Sequence, residues 1–67
     1  MGVIIIREMV GTSPRSWSDA ARQAVATASK TVRNIVTVEV VKSTAEVRDG
    51  AIVEYRVEVK IGFEYEG

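Results

Sequence analysis

The chemistry open to this chain is concentrated in one alternating run, Glu54-Tyr55-Arg56-Val57-Glu58, where two carboxylates bracket a guanidinium on every second residue. Alternate side chains of an extended backbone share a face, so Glu54, Arg56 and Glu58 would stand together. Paired carboxylates can work as acid and base. Their oxygens also suit a hard cation such as calcium, which takes six to eight of them. The simpler reading is ion pairing across a sheet and between chains, and it is preferred to catalysis. The chain has no histidine and no cysteine. That removes the commonest general base, disulfides and thiolate metal sites. No Ser-His, Cys-His or P-loop arrangement is present, so an enzyme is not expected. No EF-hand loop is present either, so a calcium site would have to be built from symmetry-related copies.

Two further features could bind a ligand. Trp17 could offer a stacking platform to a planar molecule, but its place on an alanine-rich helical stripe favours anchoring the helix to a sheet. Gly11, Thr12 and Ser13 could offer backbone amides to an anion; a plain turn and helix cap is the preferred reading. Tyr55 and Tyr65 are expected to pack against the helix.

The elements that must position these residues follow from periodicity. "VIIIREMV" (3–10) is rich in β-branched residues and bounded by Gly11, and reads as a first strand. A helix begins near Ser13-Pro14 or Ser16, each of which can cap it. Trp17, Ala20, Ala21, Ala24, Val25, Ala28 and Val32 form one stripe at helical spacing, and its central alanines allow close approach to a sheet. "NIVTVEVVKS" (34–43) is a two-sided strand. Val36, Val38 and Val40 are assigned to the helix side; Ile35, Thr37, Glu39 and Val41 are assigned to neighbouring subunits. Residues 52–65 form a third strand, roughly 40 Å long at the usual rise. Its odd-numbered residues from Val53 to Tyr65 face the helix, and Glu54, Arg56, Glu58, Lys60, Gly62 and Glu64 face away. Asp49-Gly50 is a hairpin signal. A turn there sets Glu39 opposite Lys60, whereas a wider loop sets Thr37 opposite Arg56; both keep these residues on one face. The order is β-α-β-β: an α+β fold with a three-stranded antiparallel sheet wrapped around one helix, as a single domain over residues 1–67.

Length and charge bound the rest. Sixty-seven residues bury only about 60% of their unfolded surface when folding alone. With no disulfide or thiolate metal to staple the fold, oligomerisation remains, and 46% hydrophobic content fits it. Net charge is zero, but the halves differ. Residues 1–33 carry five basic and two acidic groups, and residues 34–67 carry four basic and seven acidic. This is no basic nucleic-acid footprint. No apolar run approaches a membrane span, and the start is too short in apolar residues for a signal peptide. A soluble cytoplasmic chain is expected.

Three stretches, "GTSPRSWSDAARQAV" after an apolar strand, "ASKTVRNIVTVEVV" and the ending "YRVEVKIGFEY", resemble the dodecins over nearly the whole chain. The resemblance implies a hollow assembly of twelve copies. It usually also implies flavin, held between tryptophans of two second strands and hydrogen-bonded by a glutamine early in the third. Thr37 and Arg56 stand at those positions here. Threonine has no π-face, and arginine offers only donors where an amide offers both donor and acceptor. The pattern is similar to the calcium dodecins, which lack the tryptophan.

The expected function is therefore that of a homododecameric binding or storage protein for a metal ion, calcium foremost, or a small anionic molecule, without the standard flavin sandwich. A flavin-binding dodecin (riboflavin or FMN) with a degenerate site is the alternative, and an empty structural shell or a nucleic-acid module are further contrasts. The candidate ligand residues are Thr37 and Arg56. The candidate metal residues are Glu39, Glu58 and Glu64, with Glu54 and Glu66 also considered.

Overall fold

Four segments take regular structure in the computed structural model, which describes residues 2–65. They are β1 (Ile4–Ser13), α1 (Trp17–Ala28), β2 (Ile35–Arg48) and β3 (Ala51–Glu64). The sheet order is β1-β3-β2, antiparallel throughout. The long alternating strand is thus central, and the expected α+β fold of one helix on a three-stranded sheet is present.

The helix starts where the side chains can satisfy its free amides. Ser16 is the N-cap, and its Oγ accepts from the Asp19 amide at 3.0 Å. Ser13, the other candidate cap, has a different task. Buried at the end of β1, it donates to Asp19 Oδ2 at 2.7 Å and accepts from the Arg15 amide at 2.9 Å. Arg15 adds an ion pair to the same oxygen at 3.0 Å. The helix ends four residues before Val32: the amides of Thr31 and Val32 turn back onto the Ala28 carbonyl. Asn34, in the left-handed region at φ 63°, then leads into β2.

The core is small. Ala20, Ala24 and Ala28 press on Val57, Val59 and Ile61, with Met9, Ala21, Val25 and Ile35 packed around them. Gly11 lets the helix come so close. A Cβ there would lie 2.2 Å from the Ala20 carbonyl oxygen and 2.9 Å from the Ala24 Cβ. Gly11 therefore does not bound the first strand, as its turn propensity suggests. It lies within β1, beneath the helix, and the strand runs on to Ser13.

The β2–β3 hairpin turns at Asp49-Gly50, both at positive φ (52° and 79°), as a two-residue primed turn requires. Glu39 pairs with Lys60, as that turn predicts. The ladder gets there through register shifts that compensate: one falls at the level of Val53 on β3 and one at Val41 on β2. A third, at Val36, corrects the sequence-based reading. Ile35 pairs with Phe63 and packs against the core instead of facing away, because Val36 is an extra residue that reverses the alternation.

Val38 and Val40 pair with Ile61 and Val59, on the helix side, yet remain 44% and 49% exposed. The helix lies over β1 and β3 and barely reaches β2. The chain exposes 4882 Å², against roughly 4,200 Å² for a compact monomer of its mass. Much of the excess is apolar strand surface, including Val36, Val38, Val40, Val47, Ile52 and Val53. Among the described residues no helix is long and apolar enough to cross a membrane.

Candidate functional site

Strand pairing arranges the sheet face away from the helix in cross-strand rows. One row is Ile6–Gly62–Thr37, the next Glu8–Lys60–Glu39, then Val10–Glu58–Lys42, then Thr12–Arg56–Thr44. Beyond them Glu54 pairs with Glu46 near the hairpin end. Thr37, Glu39, Arg56, Glu58 and Lys60 therefore share a face, as alternation requires.

Thr37 sits directly on Gly62. A Cβ at Gly62 would meet Thr37 Oγ1 at 2.4 Å, Ile4 Cγ2 at 3.1 Å and Ile6 Cδ1 at 3.2 Å. The missing side chain lets the threonine and two isoleucines close over the strand. Ile4 and Ile6 stay about half exposed, so the result is a shallow apolar platform with one hydroxyl. Ile4, Ile6 and Gly62 were not singled out in the sequence as partners of Thr37. The signal was there: residues of β1 and β3 with the same parity as Thr37's partner must surround it once β3 is central.

Arg56 is elsewhere and already engaged. Its Nε donates to Glu54 Oε1 at 2.8 Å and its NH2 to Glu46 Oε1 at 2.9 Å. Arg48 holds the other Glu46 oxygen, at 3.0 and 3.2 Å. Two carboxylates facing each other across a ladder repel, and Arg56 bridges them. The expected pairing across the sheet thus accounts for Glu54 and Arg56. Gly62 is six residue steps along β3 from Arg56, roughly 20 Å. One chain does not bring Thr37 and Arg56 together.

The carboxylate candidates are also dispersed. Glu39 pairs with Lys60, Glu58 lies between Val10 and Lys42, and Glu64 pairs with Ile4 near the start of β1. Glu66 lies outside the described residues. No group of three or more acidic side chains able to hold a metal forms within one chain among the described residues. A hollow of 190 Å³ lies beside Glu8, Val10, Val41, Glu58 and Lys60; its mixed charge and valine walls suit packing or a small amphipathic group.

The other candidates resolve into structural roles. Trp17 Nε1 donates to the Thr44 carbonyl at 2.8 Å, and the indole meets Tyr55 edge-on at 4.9 Å between centroids. It ties the helix start to the hairpin, as its stripe position suggests. Asp19 is held below the ordinary carboxyl value of 3.8. The Ser13 hydroxyl is the main cause; the charge and hydrogen bond of Arg15 and a hydrogen bond from Gln23 add to it, against an opposing effect of burial.

Comparison with known proteins matches this architecture throughout. The dodecin family model matches residues 3–66. The calcium dodecin of Mycobacterium tuberculosis is 32% identical over 63 residues, spanning 94% of this chain and 89% of that protein. Among solved structures, the dodecin of Streptomyces coelicolor superposes with a TM-score of 0.95 at 35% identity, covering 98% of this chain and 94% of the other. The M. tuberculosis calcium dodecin structure, described as having a novel calcium-binding site, superposes at 0.82 with 32% identity, covering 96% and 91%. With the family model spanning nearly every residue and the β-α-β-β sheet in the same arrangement, this chain belongs to the dodecin family.

Proposed function

We propose that the chain assembles into a cytoplasmic homododecamer that binds and stores a small ligand or calcium without an aromatic flavin sandwich, acting as a binding protein and not an enzyme. The observation that carries this reading is Thr37 seated on Gly62 between Ile4 and Ile6, a platform that offers contact area and one hydroxyl but no ring to stack. Similarity to a calcium dodecin supports calcium as the ion. Glu39, Glu58 and Glu64 are its proposed ligands, contributed by several copies, because one chain gathers no acidic trio among its described residues. Thr37 and Arg56 are the proposed contacts for a small organic ligand, again from different copies. Nucleic acid and membrane have no part in it.

The alternative, riboflavin or FMN on a degenerate site, draws support from the flat apolar surface of Ile4, Ile6 and Gly62. It is weakened by Arg56, whose guanidinium is spent on Glu46 and Glu54.

Native mass spectrometry of the full chain, followed by thermal melting in calcium and flavin fluorescence titration, tests both readings. Twelve copies and a calcium-dependent rise in melting temperature are expected. Flat melting at millimolar calcium would sink the metal reading, and strong flavin quenching at micromolar protein would replace it with the alternative. Thr37→Trp is expected to raise flavin quenching, since it restores a ring on the same platform.

A further inference from the structure

Arg7 is out of place. The helix-facing side of β1 and β3 otherwise carries Ile5, Met9, Gly11 and Ser13, and Tyr55, Val57, Val59, Ile61 and Phe63. Arg7 is the charged residue in that set, opposite Ile61, and the described residues give it no ion pair. Its guanidinium lies 6.0 Å from the Phe63 ring centroid, a cation–π distance that orients it without neutralising it. The helix ends at Ala28, so this end of the sheet is left open. The 29–34 turn, with Asn34 at positive φ, brings Arg33 beside the same opening. Arg33 likewise has no ion pair among the described residues.

Together these residues border a hollow of 320 Å³ that also includes Thr31, Asn34 and Tyr65, within the usual size range of small-ligand sites. Glu64 borders it too, with its Oε2 by Gly2. Two guanidiniums favour a planar or tetrahedral oxyanion. Thr31 and Asn34 supply neutral polar groups, and Phe63 and the exposed Tyr65 supply ring faces. We infer that this hollow is a binding site for a small molecule pairing a phosphate with a planar ring, the chemistry of a nucleoside monophosphate. The phosphate would meet Arg7 and Arg33, and the ring would lie against Tyr65. Arg7 and Phe63 are on the opposite side of the sheet from Thr37 and Gly62, and because Glu64, a proposed calcium ligand, also borders the hollow, the titrations are run without calcium.

The test is calorimetric titration of the full-length native assembly, its mass checked beforehand, with AMP, adenosine and inorganic phosphate. AMP should bind, and adenosine and phosphate should each bind at least about 10-fold more weakly, as loss of a charge-assisted contact or a stacked ring predicts. Arg7→Gln and Arg33→Ala should each weaken AMP about 10-fold or more. Arg22→Ala removes a cation beside Val25 and Val38, away from the hollow, and should leave AMP binding unchanged. Absence of AMP binding at millimolar concentration overturns the proposal. So does equal loss in Arg22→Ala, which would mark diffuse charge attraction, or phosphate binding as well as AMP, which would remove the ring from the site. Because AMP binding to the unmodified protein is itself decisive, a variant that fails to assemble does not protect the idea.

Discussion

Gly11 and Gly62 lie on opposite faces of the sheet, and each admits a neighbour that a methyl group would exclude. At Gly62 the neighbours are side-chain atoms of Thr37, Ile4 and Ile6, which can rotate aside. At Gly11 the nearest atom is the Ala20 backbone carbonyl oxygen, which moves only if the helix moves. Gly11→Ala should therefore cost about 1–3 kcal/mol by overpacking, read as a lower denaturation midpoint. A midpoint within error of the parent would show that the helix is not pinned there. Thr37 and Arg56 are read in the sequence as standing where the resemblance implies ligand residues. That Arg56 spends its charge on Glu46 and Glu54 was not legible, because it needs the register of the hairpin.

Elements show how far periodicity carries and where it stops. The helix stripe gave the buried alanines correctly, since burial on a helix follows spacing alone. It overran at Val32 because an apolar residue after the last turn keeps the period without keeping the hydrogen bonds. Strand β3 alternated as read from Glu54 onward, but Val53, assigned to the helix face, is an extra residue that breaks the alternation there. Strand β2 also departed from its reading, because a single extra residue at Val36 inverts the sidedness of Ile35, and bulges leave little trace in composition. The helix start depends on ionised Asp19, which receives hydrogen bonds from Ser13 and Arg15 and sits where the helix dipole favours negative charge. Its folded value lies below 3.8, so this contribution is fully present above that pH and is lost as pH falls through the lower folded value. Asp19→Asn should lower stability at neutral pH and flatten the acid limb of a stability profile below pH about 4. An unchanged acid limb would place the sensitivity in other carboxylates.

At the scale of the whole molecule, the chain has a thin core and an unfinished surface. Val38 lies at the mouth of a 330 Å³ groove with Ala21, Arg22, Val25 and Ala26, on the helix side but beyond the helix's reach. Composition foretold such a surplus of apolar area, though not its location, because that depends on which strand the helix leaves bare. Val38→Asp should shift the assembly to smaller species in native mass spectrometry while the same species keep their far-ultraviolet circular dichroism. A dodecamer of undiminished stability would show that copies meet elsewhere.

The register shifts of the hairpin bear on how this chain tolerates changes in length. Val41 lies between Val40, paired with Val59, and Lys42, paired with Glu58, neighbouring positions on β3. Deleting Val41 would therefore leave every one of those pairings in place and merely straighten the strand. Because residues 40 and 41 are both valine, deleting either gives the same chain; deleting Lys42 instead would draw Val41 into the ladder opposite Glu58 and put a valine where a lysine now stands. Loss of a single residue should be accepted at the Val40-Val41 pair and resisted at Lys42, making this bulge a point where the strand can shorten without changing what it pairs with.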